Sequence, residues 1–64
     1  MRNERMRKKA EIITRTHGFR GINVKVEDGA VYLNGNVSSY EDFVNLGLLV
    51  GGIKGVKGVI NRCE

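Results

Sequence analysis

The sequence predicts an α+β fold of order αββαβ, with two helices packed on one face of a three-stranded mixed sheet. Three observations predict it. From Ile22 to Val26, apolar residues alternate with Asn23, Lys25 and Glu27, the period of a strand with one buried face. Asp28-Gly29 then supplies two-residue hairpin chemistry, and Val31, Leu33 and Val37 resume the alternation. Two amphipathic stretches flank this hairpin, and a hairpin with one apolar face needs covering.

The first stretch, about residues 3–17, reads as a helix. Asn3 is placed as an N-cap, and Glu4 suits the positive end of the helix dipole. Met6, Ala10, Ile13 and His17 fall on one stripe, and Gly18 ends the run as a C-cap glycine. Ile12 leaves that stripe and lies on a flank near Arg5, Lys8 and Arg15. It reads either as the edge of the core or as an apolar tip amid cations, which suits a membrane surface.

The hairpin occupies 22–37, with Ala30, Tyr32 and Asn34 on its second face and Gly35 late in its second strand. A missing Cβ there allows a bulge or a close backbone approach. Ser38 and Ser39 each sit three residues before an acid, Glu41 and Asp42, as in a capping box. The second helix runs over about 39–50. Tyr40, Phe43, Leu46, Gly47 and Val50 share a face, with Leu48 and Leu49 on opposite flanks. Gly47 costs roughly 1 kcal/mol against alanine in a helix interior, which implies close approach of the helix backbone to a neighbour. Only Glu41, Asp42 and Asn45 mark a clearly wet side, so this helix is either widely buried or carries a contact through Leu48 and Leu49.

Gly51-Gly52 ends the second helix, and residues 56–63 read as the third strand. Val56 and Val59 break strict alternation, and a bulge at Gly58 reconciles them. A right-handed crossover through the second helix sets this strand parallel to the second, which becomes central.

One domain of 64 residues hides only about 60% of the surface that its unfolded chain exposes. Small domains draw extra stability from disulfides, metals or oligomerisation. Cys63 is the single cysteine, so no internal disulfide forms, and one His beside one Cys makes a poor zinc site. A homo-oligomer is therefore one expectation. The net charge of +4 is lopsided: residues 1–20 hold seven basic and two acidic side chains, and residues 21–64 hold four and five. An electrostatic partner should meet the first segment. No apolar leader or transmembrane stretch is present, so the chain as written is expected to be cytoplasmic, or periplasmic or envelope-bound if it is an excised domain.

The segment Ile22–Arg62, about two-thirds of the chain, resembles a BON domain, the module named for bacterial osmotically inducible and nodulation proteins. The resemblance rests on Ile22-Asn23-Val24-Lys25-Val26, Asp28-Gly29 and Val31-Tyr32-Leu33-Asn34-Gly35-Asn36-Val37, and on Gly55, Val56, Gly58, Val59 and Asn61. It implies the same αββαβ order, no catalytic residues, and phospholipid binding in an envelope or osmotic-stress setting. One cytosolic relative binds potassium. The chain departs from the common pattern in its single copy, its lack of a signal peptide and its glycine-interrupted second helix.

The residues themselves offer no enzyme. His17 and Cys63 are each alone, and no carboxylate pair has a base or metal beside it. Asp28-Gly29 lacks an EF-hand loop around it. The Gly51–Gly55 stretch lacks the Walker spacing and its Ser/Thr. The basic helix reads as a solvated face, an anionic membrane surface or a nucleic-acid contact. Nucleic acid ranks last, because Tyr32 alone is no stacking platform and no helix-turn-helix is present. The expectation is a non-enzymatic binding module that engages anionic phospholipid or an envelope-related protein partner through Arg5, Arg7, Lys8, Lys9, Ile12 and Arg15. The alternatives are self-association through Leu48 and Leu49, or potassium binding by backbone carbonyls. No cofactor is expected.

Overall fold

The computed structural model describes residues 2–64. The element order is α1 (Arg2–Thr16), β1 (Asn23–Glu27), β2 (Ala30–Asn34), α2 (Tyr40–Gly51) and β3 (Gly58–Asn61). β2 is central, antiparallel to β1 and parallel to β3. The mixed α+β sheet and its order are those expected.

α1 ends in a Schellman turn. Gly18 N–H donates to Arg15 O at 3.0 Å and Phe19 N–H to Thr14 O at 2.9 Å, with Gly18 at φ +86°. Its core-facing stripe is Met6, Ala10, Ile13 and Thr14. His17 was expected on that stripe and is instead exposed, because the helix stops at Thr16 and the chain turns away. Thr14 replaces it. It is 3% exposed, and its hydroxyl donates to Glu11 O at 2.9 Å, so this buried hydroxyl is paired.

The hairpin turn is type I′. Asp28 sits at φ 49° and Gly29 at φ 86°, the pair of positive angles that a right-twisted two-residue hairpin requires. Glu27 faces Ala30, and the register places Val24 opposite Leu33 and Val26 opposite Val31 on one face. Lys25, Tyr32 and Ile60 align across the other face. Val31, Leu33, Leu46, Val50 and Ala10 are fully buried in one cluster, so α1 and α2 cover the same sheet face. Each such Val or Leu contributes about 1.5–3 kcal/mol on burial.

Three local expectations need correction. Gly58 is not a bulge: β3 begins there and pairs one-for-one from Ala30–Gly58 to Leu33–Asn61. Val56 belongs to the preceding turn, which removes the conflict with Val59, and the strand is shorter than the expected 56–63. Pairing continues past the strand by single bonds, from Arg62 N–H to Leu33 O and from Glu64 N–H to Gly35 O. Tyr40 lies outside the buried face of α2 at 80% exposure, since the helix begins at that residue and its ring stacks outward on Phe43 at 6.0 Å. Of the two candidate caps, Ser39 acts: its hydroxyl accepts from Asp42 N–H at 3.1 Å. Ile53, in the α2–β3 connection, is buried in the core.

Asn61 ties β3 to α2. Its Nδ2 donates to Phe43 O at 2.9 Å and its Oδ1 accepts from Cys63 N–H at 3.1 Å. Gly47 sits beside it, where a Cβ would lie 3.6 Å from Asn61 Nδ2. The helix approaches the strand here as expected, yet that spacing is ordinary contact.

Candidate functional site

α1 presents its cations on two sides. Arg5, Lys8, Lys9 and Ile12 follow the i, i+3, i+4, i+7 spacing of one helical face, and all four are exposed, Ile12 to 61%. Arg15 is exposed in the last turn. Arg7 stands apart. Its guanidinium bonds Glu11 at 3.1 Å and approaches Glu4 at 3.8 Å. Two carboxylates therefore neutralise Arg7, and among the described side chains of α1 the free positive charge concentrates on Arg5, Lys8, Lys9 and Arg15. The spacing of Glu4, Arg7 and Glu11 already carried that signal, since residues three and four apart on a helix are neighbours.

The fold adds two cations that helix spacing does not reveal. Arg5, Met6 and Lys9 from α1, with Lys54, Gly55 and Lys57 from the α2–β3 connection, line a cleft of about 440 Å³. Topology places them together. α1 leads back into β1 and so starts at the hairpin-turn end of the sheet, and β3, parallel to β2, starts at that same end. Lys57 N–H donates to Gly29 O at 2.8 Å, which fixes the connection against the turn. Gly55 adopts φ +95°, and a Cβ there would lie 3.4 Å from Met6 Cε, so the glycine keeps the cleft floor open. Arg5, Lys9, Lys54 and Lys57 make no ion pair among the described residues.

The other candidate residues fall elsewhere. Leu48 is 69% exposed and Leu49 half-buried, and both line a second cleft with His17, Phe19, Asp42 and Asn45. Val44, not singled out in the sequence, shares the exposed side of α2 with Leu48. Asp28, Gly29, Gly35, Val56, Val59 and Asn61 serve the turn, the strand pairing and the core. His17 Nδ1 lies 2.9 Å from Ile13 O, and burial pushes the Cys63 thiol up from its ordinary pKa. Among the described residues no group of three or more His, Cys, Asp or Glu is placed to hold a metal ion. Among the described residues no helix is long and apolar enough to cross a membrane.

The family model of the BON domain matches residues 9–64. The chain belongs to the BON domain family. Members of this family are generally non-enzymatic binding modules that often bind phospholipids. No curated protein matches the chain. Within this BON domain, Lys9, Lys54 and Lys57 lie inside the matched segment, whereas Arg5, Met6 and Lys8 precede it.

Proposed function

We propose that this BON domain binds anionic phospholipid surfaces peripherally through α1. The observation that carries the reading is the exposed face of Arg5, Lys8, Lys9 and Ile12, flanked by Lys54 and Lys57, whose cleft with Arg5 and Lys9 is lined by no acidic side chain. Each cation near anionic headgroups is worth roughly 1 kcal/mol, and Ile12 adds up to about 1.5–3 kcal/mol on insertion. Five cations and one isoleucine together reach about 6–8 kcal/mol before ordering costs, so the domain alone binds reversibly, in the micromolar-to-millimolar range.

Liposome co-sedimentation with phosphatidylcholine vesicles, with and without phosphatidylglycerol, tests this. The expected result is recovery in the pellet only with the anionic lipid, a loss with Lys8→Gln and Ile12→Asn, and little change with Arg7→Gln. Equal recovery in the supernatant from both vesicles removes the lipid reading. The second reading is self-association through α2, favoured by the exposure of Leu48 and Val44 on one side of that helix. Sedimentation across a concentration series decides it, and a strict monomer at high concentration rejects it.

A further inference from the structure

We infer that the cleft between the first half of α1 and the α2–β3 connection is a site for a phosphomonoester dianion. A flat charged membrane needs only cations spread over a plane. Here four cations from two distant segments, Arg5 and Lys9 with Lys54 and Lys57, instead line one concavity of about 440 Å³. No acid lines that cleft, and Glu4 and Glu11 are turned to Arg7. Like charges gathered without counter-charge repel one another, and a bound anion relieves that repulsion.

The charge count sets the ligand class. A phosphodiester carries one negative charge, whereas a phosphomonoester carries about −1.5 to −2 at neutral pH with three strong acceptor oxygens. Arg5 offers a planar fork that meets two oxygens together, and each lysine offers a compact charge for a further oxygen. A dianion in the cleft engages several cations at once. A monoanion leaves most of them without a counter-charge. The backbone side of the cleft is open at Gly55, and Met6 supplies an apolar wall on which the carbon skeleton of the ligand can rest.

A phosphatidate headgroup and a soluble sugar or glycerol phosphate share this chemistry. The membrane form of the inference rests on the lipid reading above, and the soluble form does not. The test therefore has two arms. In the first, the whole chain is sedimented with phosphatidylcholine vesicles containing either phosphatidate or phosphatidylglycerol, adjusted to equal electrophoretic mobility. In the second, glycerol phosphate is titrated while the amide resonances of Lys9, Gly55 and Lys57 are followed by NMR.

The expected result is preferential binding of phosphatidate vesicles by about tenfold, the worth of one charge-assisted hydrogen bond beyond the surface attraction common to both vesicles. Lys54→Gln with Lys57→Gln should abolish the preference, while Lys8→Gln weakens both vesicle types alike. These side chains are exposed, so the variants retain the fold. Equal binding of the two vesicles, lowered alike by the double variant, overturns the site and leaves the lipid reading standing. Binding to neither vesicle removes the lipid reading. In that case, saturable shifts at Gly55 and Lys57 with glycerol phosphate support the site for a soluble ligand, and unshifted resonances overturn it.

Discussion

Replacing Gly35 with alanine tests how β2 is terminated. Gly35 holds φ +148°, and a Cβ built on it lies 2.8 Å from Gly21 O, 3.0 Å from Ile22 Cδ1 and 3.3 Å from Ile22 Cα. Two of those three neighbours are backbone, so a side-chain rotation cannot clear the clash. The carbonyl of Gly35 also accepts from Glu64 N–H at 2.9 Å, which anchors the chain end against β2. The backbone conformation costs about 1–3 kcal/mol for a residue with a Cβ. Forcing the extra carbon into packed surroundings costs about another 1–3 kcal/mol. The sum of about 2–6 kcal/mol is set against a stability of about 3–10 kcal/mol for a domain of this size. Urea denaturation followed by circular dichroism measures the loss. With a slope of about 1 kcal/mol/M for so small a chain, the midpoint should fall by at least about 2 M, or the variant should be unfolded without denaturant. Gly18→Ala is the control. Gly18 is at φ +86° with nothing within 4 Å of its built Cβ, so only the backbone cost of about 1–2 kcal/mol applies. A loss under about 1 kcal/mol at Gly35, or equal losses at Gly18 and Gly35, would falsify the close-approach explanation.

Gly47→Ala should stabilise the domain by about 0.5–1 kcal/mol in the same assay. The added carbon meets Asn61 Nδ2 at an ordinary 3.6 Å and removes the flexibility of glycine within α2; destabilisation would show that the contact with β3 is tighter than this spacing. Asn61→Leu should cost about 1–3 kcal/mol, because the backbone N–H of Cys63 and the carbonyl of Phe43 both lose a partner; an unchanged midpoint would refute that role. Cys63 should react slowly with a disulfide reagent at neutral pH and faster in urea, since burial keeps the thiol protonated. The folded state holds that proton more tightly than the unfolded chain, so this contribution to stability is complete below the ordinary thiol value of 9.0 and declines as the pH rises beyond it. Stability that increases from pH 9 to 10 on account of Cys63, judged against Cys63→Ala, would reverse the sign.

What the residues determined alone is local or handed. Asp28-Gly29 admits a type I′ turn, and the alternation of Val24, Val26, Val31 and Leu33 then sets register and buried face together, because a slip by one residue would turn every valine outward. Ser39 and Gly18 marked helix ends through bonds made within a few residues. The helical connection through α2 runs back along the sheet and so returns β3 parallel to β2. The pairing of Arg7 with Glu4 and Glu11 was equally legible in helical spacing. The tertiary structure decided what depends on long separations. Val56 closes a turn locally through its N–H to Ile53 O, whereas β3 opens at Gly58 once Lys57 N–H reaches Gly29 O, a bond that no window around Gly58 contains. Ile53 is buried and Leu48 exposed although both follow from apolar letters, since burial depends on which side the sheet occupies. Lys54 and Lys57 join Arg5 and Lys9 because α1 and β3 both begin at the hairpin end, a proximity that belongs to the packed fold and to no stretch of chain by itself.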